Sequence, residues 1–195
     1  LFLLFLRFTF IYTKILEMNF IKKYVTKRYV AENKPVRDIV VTSLQKAKRV
    51  GILCKITDED SYKDIYAVFS SIQSADRSVS MLGYIDDKEV PFYCLQQFSA
   101  DYFCNKDLNW YGKPEKVQIH DFMNLDFDIL IDFTHEPVDV IRLILSLSPA
   151  HFIVGSAPEN KDFYDLIISS ESPLSNAELL KNIELYTKNL TGGGK

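Results

Sequence analysis

The stretch FDILIDFTHEPVDVIRLILSLSPAHFIVG, residues 127–155, decides the fold of this chain. It opens with a short apolar run, residues 127–133, that is typical of a buried strand. Pro137 follows in a position that suits the first turn of a helix, where the N–H that proline lacks is not needed. An apolar helix is predicted through Leu147, and residues 151–155 predict a second buried strand. A strand, a helix and a strand in this order form a βαβ unit, whose two strands run parallel.

The same alternation extends over most of the chain. Further strands are predicted at Arg49–Ile56, at Ser78–Ile85, at residues 90–95 as a hairpin partner or edge strand, and at residues 165–169. Helices are predicted from a capping box of Ser61 with Asp64 to about residue 75, around residues 121–125, and from a capping box of Ser175 with Glu178 to residue 190. Short buried strands that alternate with amphipathic helices are typical of a mostly parallel sheet. The sequence therefore predicts an α/β fold, a Rossmann-like three-layer sandwich.

Four segments are predicted along the chain: an apolar extension over residues 1–17, a basic helical arm over 18–48, the Rossmann-like α/β domain over 49–190 and a disordered tail over 191–195. The extension is shorter than the roughly 20 residues that a membrane-spanning helix needs, and Arg7 interrupts it. It also lacks the small-residue cleavage site of a secretory signal. We expect it to be upstream sequence outside the native protein; a short membrane anchor is the alternative.

The arm is predicted to form a basic amphipathic helix. Its apolar side chains recur at helical spacing, and four cations surround them: Lys22, Lys23, Lys27 and Arg28. We expect this helix to pack on the body of the protein. The alternative is that its cations bind a protein partner or an anionic membrane surface.

Charge is unevenly divided between the two parts of the chain. Residues 1–55 carry a net charge of +9, and the remainder carries −12. A basic segment of this kind marks a nucleic-acid or membrane arm in some proteins. The strongly acidic remainder repels a polyanion, so we do not expect nucleic-acid binding.

Cysteine and histidine usage predicts no metal site and no cofactor. The three cysteines form no CxxC pair, and Cys54 lies in an apolar strand, so we expect Cys54 to be a reduced, buried thiol. Such thiols are typical of the cytoplasm, the predicted location; membrane association through residues 1–28 is the alternative. Residues 57–60, which follow the first strand, contain neither glycine nor lysine. This excludes a P-loop and a dinucleotide-binding turn.

The carboxyl ends of the strands hold the candidate site, because ligands of open α/β sheets bind there. Asp132, His135 and Glu136 are the catalytic candidates, since such side chains can act as a base or position a cation. The alternative is that they cap the next helix and bond to nearby backbone. The candidates for ligand binding at the strand ends are Thr134, Gly155 and Ser156.

An aromatic segment, residues 98–112, supplies further candidates. Trp110 and Tyr111, next to Lys113, are suited to stack on a base or a sugar, or to clasp a partner. The alternative is a loop that its own aromatic side chains, including Phe98, pack over the sheet.

Parts of the chain resemble known families. Residues 57–60 and Asp132 resemble the magnesium-binding and phosphate-accepting residues of response-regulator receiver domains, although receivers have a lysine where Ser169 follows the last strand here. Residues 127–155, with the strand after them, resemble the N-terminal Rossmann half of heptosyltransferase-type glycosyltransferases. That half mainly holds the acceptor, so the resemblance implies a ligand rather than a complete reaction.

Residues 18–190 also resemble an uncharacterised family of small bacterial Rossmann-like proteins, a domain-of-unknown-function family. The shared features are the basic N-terminal helix, GILCKI at 51–56, the segment from Phe98 to Lys113, FDILI at 127–131, and the strands at 150–155 and 165–168. This resemblance implies a fold and no activity.

No nucleophile–base pair is visible in the sequence. It therefore predicts a non-catalytic ligand-binding or protein-interaction domain. The alternative is an enzyme, or a degenerate glycosyltransferase-like domain, that acts on a small polar or sugar-like ligand at residues 132–136.

Overall fold

The computed structural model describes residues 19–94 and 99–192. Three predicted features lie outside these residues: the apolar extension 1–17, Phe98 of the aromatic segment, and residues 193–195 of the tail. Within the described ranges, no helix is long and apolar enough to cross a membrane.

A parallel sheet forms the centre of the described part of the chain. Its six strands are β1 (Arg49–Ile56), β2 (Ser78–Ile85), β3 (Ala100–Cys104), β4 (Ile129–Asp132), β5 (Ile153–Gly155) and β6 (Leu166–Ile167). They lie in the order β3-β2-β1-β4-β5-β6, and every neighbouring pair is parallel. This is the strand order of doubly wound Rossmann sheets. The predicted α/β class and Rossmann-like architecture are therefore confirmed.

Helices cover both faces of this sheet. They are α1 (residues 19–33), α2 (Glu59–Ile72), α3 (Val117–Met123), α4 (Asp139–Leu147) and α5 (Asn176–Gly192), with 3₁₀ turns at Asn105–Asp107 and Pro158–Phe163. Phe69 of α2 and Leu179 of α5 belong to the core on one face, whereas Ile119 of α3 and Ile141 of α4 belong to the core on the other. These elements overlap the predicted ranges, with shorter strands at β4, β5 and β6.

Strand β1 shows why the sequence pattern identified the fold. Ile52, Cys54 and Ile56 contribute to the core under α2 and α5, and Leu53 contributes to the opposite core. Since helices cover both faces, consecutive positions of the strand are apolar, and no alternation with polar residues is needed.

The edge of the sheet differs from the prediction. Residues 90–94, the described part of the strand predicted at 90–95, form no strand, so that prediction is wrong there. The edge position belongs to β3, which lies in the aromatic segment 98–112, where no strand is predicted. It pairs parallel to β2, with Cys104 beside Ile85. A hairpin partner would run antiparallel, and Pro91 has no N–H for such a ladder.

The capping box of α2 also differs from the prediction. Asp58 is the N-cap: the Ser61 N–H donates to Asp58 Oδ1 over 2.7 Å, and the Asp58 N–H donates to Ser61 Oγ over 3.0 Å. Ser61 is therefore the third helical residue, and Asp64 has no part in the box. The box at α5 is confirmed, because the Ser175 N–H donates to Glu178 Oε2 over 2.9 Å and the Glu178 N–H to Ser175 Oγ over 3.3 Å.

The prediction of a buried thiol at Cys54 is confirmed. Cys54, Cys94 and Cys104 are all free and buried. Burial raises the pKa of Cys94 to about 11, and it also raises the pKa of Cys54. Thiols in such surroundings are poorly reactive, because the thiolate is the nucleophile.

Arg77 ties the connection between arm and sheet to the rest of the domain. Its guanidinium donates to the backbone carbonyls of Leu44 over 2.8 Å, Ile72 over 2.9 Å and Ala47 over 3.1 Å. Two of these carbonyls precede β1, and the third ends α2. One side chain therefore fixes both segments at the start of β2.

We expect Arg77→Lys to lower the free energy of unfolding by about 2 kcal/mol, because an ammonium cannot reproduce three planar donors. Urea unfolding followed by circular dichroism measures the change. Arg49→Lys is the matched control: Arg49 pairs with Asp126, both side chains are about half exposed, and the expected loss is within about 0.5 kcal/mol. Equal losses in the two variants would contradict the assignment.

Candidate functional site

The carboxyl ends of β1 and β4 lie side by side in the middle of the sheet. The strand order reverses between these two strands, and such a reversal opens a crevice where α/β proteins bind ligands. The last residues of β4 and β5 and the loops that follow them include six of the candidate residues: Asp132, Thr134, His135, Glu136, Gly155 and Ser156. The structure divides them into three groups with different contacts.

Asp132 is a buried anchor. Its Oδ1 accepts from the Thr134 N–H over 2.8 Å, and its Oδ2 accepts from the Tyr164 hydroxyl over 2.7 Å. Burial raises the pKa of Asp132 to about 6, although the bonds from Tyr164 and Thr134 favour the charged form. The side chains of Asp132 and Thr134 are inaccessible to solvent. One carboxylate oxygen therefore holds the loop after β4, and the other holds Tyr164 in the segment before β6.

Gly155 belongs to the same anchor. A Cβ atom at this position would lie 2.3 Å from Cζ of Tyr164, so the absence of a side chain makes room for the aromatic ring. Burial and the neighbouring Asp132 raise the pKa of Tyr164, which keeps its hydroxyl protonated as a donor. Packing alone therefore accounts for this glycine.

His135 lies on the side of the loop that faces β5 and α5. Its Nδ1 is 3.1 Å from Ser156 Oγ, and its Nε2 is 2.8 Å from Asn176 Oδ1. The Nδ2 of Asn176 donates to Asp64 Oδ2 over 2.7 Å. The structure thus brings together two sequence candidates, His135 and Ser156, and adds two partners from α5 and α2.

Glu136 lies on the other side of this loop and contacts β1. Its Oε1 is 2.5 Å from Lys55 Nζ, while Asp86 Oδ2 lies 4.0 Å from the same ammonium. Lys55 is largely enclosed, with 20% of its side chain exposed. The charge of this lysine is therefore balanced by acidic neighbours.

The arm helix α1 packs on the aromatic segment. Thr26 Oγ1 donates to the Tyr111 carbonyl over 3.1 Å, and Lys113 Nζ lies 4.5 Å from the centre of the Tyr29 ring. Gly112 adopts a φ of +89°, a backbone conformation that glycine tolerates best. The helix contacts the body through Tyr29 and Val30. The apolar side chains that were expected to pack there stay largely exposed, since Phe20, Ile21 and Tyr24 are 75%, 50% and 62% accessible. Trp110 remains 65% exposed, and its role in stacking stays a prediction.

A groove of about 860 Å³ lies between α1, α4 and the carboxyl ends of β1 and β2. We name it the lysine groove, since its lining includes Lys22, Lys23 and Lys27 of the arm. Within residues 19–94 and 99–192, none of these three lysines has an ion-pair partner. The acidic groups in the lining, Asp86 and Glu136 among them, lie on the sheet side. The groove therefore has a basic wall and a polar, acidic floor.

A second groove, of about 650 Å³, opens at the amino ends of β2 and β3. Arg77 lines it, but its guanidinium is used by backbone carbonyls. Among the residues that the structure describes, no group of three His, Cys, Asp or Glu side chains is placed to hold a metal ion.

Sequence reasoning did not find Lys55, Asn176, Asp64 or Tyr164. Asn176 lies 41 positions along the chain from its partner His135, and Asp64 lies 112 positions from its partner Asn176. Their only local features are those of helix surface residues, so their contacts become visible only when α2 and α5 pack side by side. Lys55 offers a weak indication, since it is the one cation inside an apolar strand.

A family model matches residues 18–190 and carries the description "Family of unknown function (DUF6913)". No curated protein and no solved structure matches the chain.

The buried Asp132 makes folding stability depend on pH. The folded state keeps its proton up to about pH 6, whereas an unfolded aspartate releases it near pH 4. The free energy of unfolding therefore falls as the pH rises through this window. In Asp132→Asn this titration is absent, so the decrease between pH 4 and pH 7 should be smaller by about 2 kcal/mol.

Urea unfolding at four pH values between 4 and 7 measures this difference. Asp162→Asn, the same change at an exposed position, should keep the pH dependence of the wild type. An unchanged pH dependence in Asp132→Asn would contradict the raised pKa.

Proposed function

The chain belongs to the DUF6913 family, and we propose that it is a ligand-binding α/β domain whose lysine groove takes a small anionic molecule. The observation that carries this proposal is the set of three unpaired lysines on the basic wall of the groove. Lysine is a common partner of phosphate groups. The groove also adjoins the sheet edge where α/β proteins bind ligands.

The distribution of charge in the groove indicates where the anionic group of the ligand binds. Lys55 is paired with Glu136, and Arg142 lies 3.9 Å from Asp139 Oδ1 while it donates to Asn160 Oδ1 over 2.7 Å. The free positive charge is therefore confined to the arm, and the anionic part of the ligand belongs there.

The floor of the groove suits hydroxyl groups. Tyr84 Oη lies 2.6 Å from Asn105 Oδ1 and 3.2 Å from Asp86 Oδ1, and Asn105 Nδ2 donates to Asp86 over 3.0 Å. Carboxylate and amide oxygens accept hydrogen bonds from hydroxyl donors. A phosphorylated sugar or polyol combines both requirements, and its sugar part agrees with the acceptor-like ligand that the glycosyltransferase resemblance implies.

We expect a phosphorylated sugar to raise the thermal stability of the full chain. A ligand at 100 times its Kd stabilises the folded state by about 2.7 kcal/mol, which corresponds to a Tm increase of about 5–10 °C. Differential scanning fluorimetry and titration calorimetry would be carried out with inorganic phosphate, glucose 6-phosphate, fructose 1,6-bisphosphate and unphosphorylated glucose. The two sugar phosphates should bind more tightly than glucose or phosphate.

The double variant Lys22→Gln/Lys27→Gln should weaken this binding at least tenfold. The matched control is Lys181→Gln/Lys188→Gln, the same charge change on exposed positions of α5, and it should bind like the wild type. No stabilisation by any sugar phosphate, or equal losses in both double variants, would refute the proposal. So would binding of the arm lysines to phosphatidylserine vesicles without binding of any sugar phosphate, a result that assigns the arm to membranes.

A further inference from the structure

A chain of hydrogen bonds crosses the carboxyl edge of the sheet outside the lysine groove. It runs from Ser156 to His135 over 3.1 Å, from His135 to Asn176 over 2.8 Å, and from Asn176 to Asp64 over 2.7 Å. Its members lie after β5, after β4, at the first residue of α5 and within α2. Four separate elements therefore converge on one line of polar groups.

The Asp64 carboxylate, at one end of this series of hydrogen bonds, determines where the protons of the other members lie. An ionised carboxylate only accepts hydrogen bonds, so the Asn176 amide directs its NH₂ group to Asp64 and its oxygen to His135. His135 Nε2 then carries the ring proton, because it faces an acceptor. The lone pair is left on Nδ1, and the Ser156 hydroxyl donates to it. The imidazole is thus held in the tautomer of a base for Ser156.

We propose that Ser156 and His135 are the nucleophile and the general base of an acyl-transfer site, with carboxylic esters as the substrate class. Asn176 and Asp64 are positioning residues that act through His135. A hydroxyl or thiol, an imidazole and an amide or carboxylate in this order recur in unrelated hydrolases, including the Cys-His-Asn set of papain-like proteases. The activity goes beyond ligand binding in the lysine groove and uses different residues.

The site is accessible to a substrate. His135 is exposed and Ser156 is half-buried, and both follow strands at the edge where α/β proteins place their ligands. The anchor of Asp132 holds the start of the loop that carries His135, since the Thr134 N–H is bound to Asp132. The base is therefore fixed from both sides, by the loop and by α5.

The reaction balances with the ester and water alone. Ser156 Oγ attacks the carbonyl carbon, and its proton passes to His135 Nδ1. The C–O bond to the alcohol breaks, and the departing oxygen takes that proton. A water molecule then gives a proton to Nδ1 and attacks the acyl-serine, and the carboxylic acid leaves as Ser156 recovers its proton.

The sharpest test replaces the hydroxyl by a thiol. In Ser156→Cys, a base at hydrogen-bond distance should lower the pKa of the introduced thiol well below the ordinary value of about 8.5. Iodoacetamide alkylation between pH 5 and 9, followed by mass spectrometry, gives this pKa. The background is low because the native cysteines are buried.

Two control variants distinguish the effect of the proposed base on the thiol pKa from the effect of solvent exposure. Ser70→Cys, at an exposed position of α2, should show an ordinary thiol pKa. Ser156→Cys combined with His135→Gln should react at least tenfold more slowly at pH 6 than Ser156→Cys alone. Equal rates, or an ordinary pKa in Ser156→Cys itself, would overturn the proposal.

The positioning residues have a test of their own in the Ser156→Cys background. Asn176→Ala should shift the pH profile of alkylation towards that of the His135→Gln variant. Exchanging the two groups, with Asn176→Asp and Asp64→Asn together, preserves the hydrogen-bond chain and should restore the profile. A profile that Asn176→Ala leaves unchanged would remove both residues from the site.

The wild-type chain provides the direct measurement. A fluorophosphonate probe should label Ser156, and p-nitrophenyl acetate should be hydrolysed at a rate that falls at least tenfold in Ser156→Ala and in His135→Gln. Circular dichroism verifies that both variants are folded. Absence of labelling together with hydrolysis at the buffer rate would refute the proposal.

Discussion

The parallel pairing of β1 with both β2 and β4 is the constraint on which the rest of the molecule depends. Hydrogen bonding on two sides and burial on two faces leave β1 no contact with solvent except at its ends. Helices must therefore cover both faces, and each connection must cross from one end of the sheet to the other. The chain leaves β1 towards β2 and later returns beside it as β4. Because all the strands are parallel, the loops after β1, β4 and β5 lie at one edge, and the reversal opens a crevice between the loops after β1 and β4.

The loop after β4 divides that edge into two regions. Asp132 and Thr134 are buried inside it, and the next two residues turn in different directions. His135 meets groups from β5 and α5, whereas Glu136 meets Lys55 at the end of β1. The proposed acyl-transfer site and the lysine groove thus share one rigid loop but no side chain. A buried, fully hydrogen-bonded carboxylate is what makes this separation possible.

The central strands could be predicted from the sequence because a strand that is buried on both faces appears there as a continuous apolar run. Arg49–Ile56 and Ser78–Ile85 have the predicted bounds for this reason. Strand β3 lacks such a continuous apolar run, since it lies at an edge and includes the half-exposed Asp101. Its position depends on pairing with β2, which is a tertiary contact.

The sequence predicted some residues of the candidate site but not the contacts between them. The rule that ligands bind at carboxyl ends pointed to His135 and Ser156, because both lie within three residues of a strand end. It could not show that they face each other, nor that Asn176 orients the pair, since those distances follow from helix packing. Asp132 shows the converse: an acidic residue in the expected place turned out to serve the interior. Its role depends on Tyr164, which the sequence pattern did not single out.

The contacts among Gly155, Tyr164 and Asp132 restrict how the sequences of related chains can change during evolution. A side chain at 155 displaces the Tyr164 ring, and a displaced ring leaves a buried carboxylate oxygen without its donor. A change at any one of the three positions alone costs folding stability, so related chains should inherit them as one unit or replace them together. An invariant aspartate at the end of a strand would then be a mark of architecture, and its persistence would carry no information about catalysis.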